Sequence, residues 1–223
     1  MAINEEAYQI ITTELAQKQV QLIAVSKTKT AADITALYDL GQRDFGENYV
    51  QEITEKQQQL PADIRWHFIG HLQSNKVKYI APFVSLIHGV DSLKLLQEIN
   101  KQAIKNNRII DCLLQVYIAK EETKFGLDAV ELNTIIEVYK TGVLPNIQLR
   151  GLMGMASNTT DKATIKTEFN ELKEVFDTIS NQLTTFNILS MGMSSDYHIA
   201  IDAGGNMVRI GSLLFGERNY TKN

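Results

Sequence analysis

Eight short apolar runs recur in order along the chain, separated by stretches of helical spacing, and that alternation most narrows what the sequence can fold into. The runs fall at 21–27, 44–47, 65–69, 84–90, 109–118, 147–155, 188–193 and 207–210. Between them, apolar residues return at three- and four-residue steps over 34–40, 49–60, 74–80, 92–106, 128–139, 162–183 and 195–203. Gly41 ends the first of these helices, Pro61 stops the second, and Ser92 is placed to cap the fourth. A further stripe, Ile3, Ala7, Ile10, Ile11 and Leu15, predicts an extra helix over 3–18, ahead of the first strand. Strands alternating with helices predict a parallel α/β sheet, and eight is the number that closes a TIM-type (β/α)8 barrel. The competing open, doubly wound sheet has no Gly-x-Gly-x-x-Gly turn after the first strand to support its dinucleotide form. No linker or repeat divides the sequence, so one barrel domain over residues 1–223 is expected.

Composition excludes several partners. A net charge of −4 gives no electrostatic footprint for nucleic acid. No apolar stretch approaches the roughly 20 residues that span a bilayer, and the acidic start Met-Ala-Ile-Asn-Glu-Glu lacks the basic and apolar pattern of a secretory signal. A cytoplasmic protein with neither a nucleic-acid nor a membrane partner is expected. The one cysteine, Cys112, lies in the apolar run Cys-Leu-Leu-Gln-Val and reads as a core residue.

In a barrel of this kind, functional groups collect at the C-terminal ends of the strands. Lys27 follows the apolar run Leu22–Ser26 at the end of the first strand. A lysine at a strand end is ordinarily a solvated surface residue. Held at the mouth of a pocket, where desolvation lowers its pKa, the same amine becomes a Schiff-base former. Glu47 and Asn48 follow the second strand, His67, Gly70 and His71 the third, and Asp91 the fourth.

The last two units add a phosphate cradle. Met191-Gly192-Met193-Ser194-Ser195-Asp196 precedes a short helix, and Arg209-Ile210-Gly211-Ser212 follows the turn at Gly204-Gly205. Small residues admit a phosphate to the backbone N–H groups, and barrels often bind phosphate after strands seven and eight. Tight turns with an N-cap at Ser194 or Ser195 are the simpler structural reading. Arg209, in the apolar strand Met-Val-Arg-Ile, must either be paired, with Asp202, Glu47 or Asp91, or face the functional end and donate to a ring nitrogen. His67, His71 and His88 lie on different strands without metal-ligand spacing, so no metal is expected and each reads as structural. No Gly-x-Ser-x-Gly elbow or Walker loop is present. A Schiff-base lysine with a phosphate site suits pyridoxal phosphate, and it suits equally a lysine-dependent aldolase acting on a phosphorylated sugar.

Five segments carry a resemblance that separates these readings. They are Ala24-Val25-Ser26-Lys27-Thr28, the run from Phe45 to Glu52, Trp66 to Lys76, Leu189 to Asp196, and Val208 to Gly216. Together, and in this order, they resemble the pyridoxal-phosphate homeostasis protein family, the YggS or PROSC group. The resemblance implies a barrel akin to the N-terminal domain of alanine racemase, with pyridoxal phosphate held as an internal aldimine on Lys27. It also implies Asn48 near the cofactor ring, Arg209 at the pyridine nitrogen, and Ser194, Gly211 and Ser212 at the phosphate. Two departures bear on loop shape: Thr30 stands where a proline is common, and Met153-Gly154-Met155-Ala156-Ser157 lacks the proline common after strand six.

The family is understood to handle the cofactor rather than to catalyse a reaction. A racemase of this fold takes a second acid–base tyrosine from an additional β domain, and with this sequence ending at Asn223 no such domain is expected. The expectation is therefore a monomer with no catalytic residues, which buffers pyridoxal phosphate and delivers it to cofactor-dependent apo-enzymes. Other lysines such as Lys124 are open to adventitious reaction with the aldehyde.

Overall fold

The computed structural model describes residues 3–119 and 126–216; Lys124 lies outside them. Eight parallel strands pair in sequence order and close into a barrel, as the alternation predicts. They are β1 (Gln21–Val25), β2 (Asp44–Glu47), β3 (Arg65–Phe68), β4 (Leu86–Val90), β5 (Ile110–Gln115), β6 (Ile147–Met153), β7 (Ile188–Met193) and β8 (Met207–Ile210). The closing seam pairs Gln21 with Met207 and Ala24 with Ile210. The helices are α1 (Glu5–Gln17), α2 (Ala31–Asp39), α3 (Val50–Gln59), α4 (Val77–Ile80), α5 (Leu93–Lys105), α6 (Ala129–Lys140), α7 (Lys162–Ser180), α8 (Tyr197–Asp202) and α9 (Ser212–Phe215).

Period-two alternation sorts each strand between two cores. Leu22 and Ala24 of β1 pack outward into the large cluster shared with the helices, where Ile34 and Leu37 of α2 and Leu95, Leu96 and Ile99 of α5 are buried. Ile23, between them, faces inward and meets Leu86, Leu113, Met153 and Met207 in a separate cluster filling the barrel. Cys112 is fully buried in the outer cluster, and burial pushes its thiol pKa up, as a core cysteine requires. The extra helix α1 buries Tyr8, Ile11 and Leu15 and packs beside β1 and α9, with Asn4 N–H donating to Leu214 O at 2.8 Å.

Local chemistry sets the helix starts. Ser92 Oγ accepts from Leu95 N–H at the start of α5, as expected. Thr30 caps α2 in a reciprocal capping box with Asp33, so the helix begins with a hydroxyl. Five strands, β1, β3, β4, β5 and β6, are shorter than the apolar runs suggest. Past Gln115 the chain turns to meet the segment before α6, Tyr117 N–H donating to Leu127 O and Leu127 N–H to Gln115 O. Past Met153 the β6 loop is held by buried Glu168, which accepts from Ser157 N–H and Oγ at 2.7 and 2.6 Å. Ser85 pairs with Trp66 O but stands just outside β4.

Gly151 is obligatory. Its φ is +154°, and a Cβ there would lie 1.7 Å from Ile188 O, across the β6–β7 pairing. Gly151→Ala should cost about 2–3 kcal/mol, the scale of a strained backbone that must also shift a neighbour. Thermal melting checks this, and an unchanged midpoint would show that β6 does not need the close approach.

Candidate functional site

Lys27 does not end β1 but stands two residues beyond it, half-buried in a turn closed by Lys29 N–H donating to Ser26 O at 3.0 Å. Thr28, the next residue, has φ +63°, a left-handed conformation that a β-branched side chain adopts only when its surroundings enforce it. Those surroundings lie on α3. Glu52 Oε2 accepts from Thr28 N–H at 2.8 Å, and Lys56 Nζ donates to Glu52, to Ser26 O and to Glu47 Oε1 at 2.9, 2.9 and 2.7 Å. Ser26 Oγ also donates to Glu47 Oε1, at 2.6 Å. Glu47 is thus the outward-facing base of the turn that carries Lys27. Burial pushes its carboxyl pKa up, against the pull of Lys56.

Opposite the turn, one cavity of about 330 Å³ gathers every residue singled out above for the cofactor: Lys27, Asn48, Ser194, Arg209, Gly211 and Ser212. Among the described residues a larger cavity, about 450 Å³, lies between α6 and α7, away from these groups. The smaller one has the chemistry. Gly211 N–H and Ser194 Oγ meet at 3.2 Å, joining the loops after β7 and β8. Asp196, rather than either serine, is the N-cap residue of α8, and its Oδ1 takes up Met193 N–H at 2.6 Å. The two serines are therefore not used as caps. Asn48 reaches the cavity edge because Gly70 lets its backbone pass; a Cβ on Gly70 would meet Asn48 O at 2.3 Å.

Arg209 is 4 % exposed and has no carboxylate within ion-pair distance among the described residues, so the pairings weighed with Asp202, Glu47 and Asp91 are not formed. It is held instead by neutral acceptors: Nη1 donates to Ser190 O and Oγ at 2.9 and 2.8 Å, and Nη2 to Gly154 O at 3.1 Å. Burial lowers its pKa to about 10, with the Asp196 carboxylate pulling the other way, and at neutral pH it stays a cation. His71 pairs with Asp91 at 3.0 Å outside this cavity.

Lys29 also lines the cavity and drew no reading from the sequence, whereas Met155, Met193 and Ser195, which line it too, fall in the strand-end segments noted above. Lys29 was two residues from the proposed Schiff-base lysine; its Nζ donates to Phe215 O at 2.9 Å and ties the β1 loop to the end of α9.

Fold and site together define a parallel eight-stranded barrel whose C-terminal face carries a lysine, an arginine and a small-residue cradle around one cavity. The chain belongs to the family described as "Alanine racemase, N-terminal domain", whose model matches residues 5–219, and within it to the pyridoxal phosphate homeostasis proteins. The pyridoxal phosphate homeostasis protein of Aquifex aeolicus is 41% identical over 205 residues, covering 90% of this chain and 88% of the relative. That of Escherichia coli K12 is 36% identical over 209 residues, covering 92% and 88%. PipY of Synechococcus elongatus PCC7942, solved with PLP bound, superposes with a TM-score of 0.83 at 36% identity, covering 94% of this chain and 99% of PipY. Alanine racemase from Bartonella henselae shares the barrel at 19% identity and a TM-score of 0.71, with 61% of its length covered.

Proposed function

We propose that this protein holds pyridoxal 5'-phosphate reversibly as a Schiff base on Lys27 and acts in cofactor homeostasis, buffering the free cofactor and delivering it to apo-enzymes, with no reaction of its own. The observation that carries this reading is the convergence of Lys27, Asn48, Arg209 and the Ser194–Gly211–Ser212 cradle on one cavity. The relatives' names and the PLP bound in PipY point to the same ligand.

The residues fit the group. About 330 Å³ is within the range of small-molecule sites. Asn48 Oδ1 is buried without a hydrogen-bond partner among the described residues, an acceptor left over for a ligand. When bound, the cofactor supplies an aldehyde that condenses with an amine, releasing water, and a phosphate. Lys27 would supply the amine, the Ser194 and Ser212 hydroxyls donors to the phosphate beside Gly211, and Arg209 a cation for the ring nitrogen.

The same lining argues for holding rather than catalysis. Among the described residues around the cavity, the only ordinary proton carriers are Lys27 and Lys29; no tyrosine, histidine or carboxylate faces it. A permanently charged guanidinium at the ring nitrogen also discourages protonation there, which weakens the ring as an electron sink. A racemase-like reading has the family description on its side.

Titrating the purified protein with pyridoxal phosphate should give a saturable visible band, removed by dialysis against free amine. The loaded protein should neither racemise nor decarboxylate a panel of amino acids. Robust turnover would overturn the non-catalytic reading. A borohydride-trapped imine with a sugar phosphate, and no band with pyridoxal phosphate, would favour the aldolase.

A further inference from the structure

The proposed function leaves unused a line of buried polar groups that crosses the barrel interior. Asp44, His67, His88, Ser190 and Arg209 come from β2, β3, β4, β7 and β8, and each is 6 % exposed or less. Asp44 Oδ1 lies 3.0 Å from His67 Nε2, and His67 Nδ1 lies 3.0 Å from His88 Nε2. His88 Nδ1 lies 3.2 Å from Ser190 Oγ, which in turn takes the 2.8 Å bond from Arg209 Nη1. The half-exposed Arg65 closes the far end, donating from Nε and Nη2 to the two Asp44 oxygens at 2.7 and 2.6 Å.

The two ends fix where every proton sits. A guanidinium can only donate, so Ser190 Oγ accepts from Arg209 and has its own proton to give. Burial works against the Asp44 carboxylate, but the Arg65 and His67 hydrogen bonds outweigh it and hold it well below the usual carboxylate range. An ionised Asp44 can only accept, so His67 donates from Nε2. One proton remains for the contact between the rings. With it on His88 Nε2, every link is satisfied by neutral imidazoles: Arg209 to Ser190, Ser190 to His88 Nδ1, His88 Nε2 to His67 Nδ1, His67 Nε2 to Asp44. A proton on His67 Nδ1 instead would put an imidazolium inside the barrel that holds the Arg209 cation, and would leave the Ser190 hydroxyl proton to find another acceptor.

We infer that these five side chains form a hydrogen-bonded chain of one direction, and that it makes His88 and Ser190 positioning residues for Arg209. The chain turns both Ser190 oxygens into acceptors for one guanidinium nitrogen. With Nη2 on Gly154 O, that fixes the guanidinium plane and leaves its other N–H groups for the cavity that it lines. The cofactor-facing role of Arg209 rests on the reading above; the direction of the chain does not.

Nitrogen-15 NMR of cofactor-free protein labelled at histidine, with the exposed rings removed by His71→Gln and His198→Gln, reads the direction. His67 and His88 should both be neutral, each with its proton on Nε2. A proton on His88 Nδ1, or a doubly protonated His67 at neutral pH, would overturn the inference whatever the cofactor does. In Ser190→Ala, the His88 Nδ1 signal should shift, because that nitrogen loses its donor, while His67 keeps its Nε2 proton on Asp44, and the dissociation constant for pyridoxal phosphate should rise about tenfold. An unchanged His88 Nδ1 signal in that variant, or an unchanged dissociation constant, would reduce Ser190 to a packing residue. The expected histidine signals in a protein that binds no pyridoxal phosphate would refute the proposed function while leaving the chain intact.

Discussion

Replacing Lys56 by methionine should destabilise the fold by about 3–5 kcal/mol, the cost of stranding one member of a buried ion pair. The Glu47 carboxylate is fully buried, its Oε2 has no partner among the described residues, and Lys56 is the cation against its Oε1. Without that cation Glu47 escapes the cost only by taking up a proton in the folded state. Its folded pKa, already raised by burial, then rises further above the unfolded value. A carboxyl with a raised folded pKa binds more protons folded than unfolded, so stability is greatest below the unfolded pKa and falls as pH rises through the folded one. Lys56→Met should therefore recover stability toward acid pH, whereas the wild type does so less. Adding Glu47→Leu should restore much of the loss at neutral pH, because an apolar pair of similar volume can replace a buried ion pair at little cost. Denaturant melts of the two variants across pH decide this, and a Lys56→Met protein as stable as wild type at neutral pH would show that Glu47 finds another partner. The single variant should also bind cofactor more weakly. Lys56 holds Ser26 O and Glu52, and Glu52 holds the left-handed Thr28, so the turn that aims Lys27 rests on it.

Lys27→Ala should abolish the visible Schiff-base band completely while leaving the melting temperature near that of the wild type. The side chain is half-buried, and backbone hydrogen bonds through Ser26, Thr28 and Lys29 shape the turn that carries it. Alanine keeps those backbone bonds and removes the amine. Residual, non-covalent binding through the phosphate cradle is expected and would be colour-free. A band of unchanged intensity in this variant would move the Schiff base to another lysine, with Lys29 in the same cavity as the first alternative.

The order of strands and the end of the barrel where Lys27, Asn48 and the small residues gather were legible because apolar period and strand-end position are local properties. Strand ends were legible only to within a few residues: apolar runs continue past Gln115 and Met153, but the backbone leaves the sheet to meet Leu127 and Ser157. Arg209 could be recognised as needing a partner, yet not which one. Its acceptors, Ser190 and Gly154, lie 19 and 55 positions away and are set by barrel closure. His88 and Ser190 are 102 residues apart, so two histidines that each read as structural and a serine with no reading of its own form one chain only once the register of β3, β4 and β7 is known. Lys56 gave no signal at all: on a polar-faced helix it reads as one more solvated lysine, and its burial follows from the docking of α3 over β2.

Borohydride reduction of the wild-type protein loaded with pyridoxal phosphate, followed by peptide mass mapping, tests the central claim most directly, because it records which nitrogen holds the cofactor. The predicted result is a single stoichiometric pyridoxyl adduct on the peptide containing Lys27, absent from Lys27→Ala. Adducts scattered over surface lysines, or none at all, would contradict it.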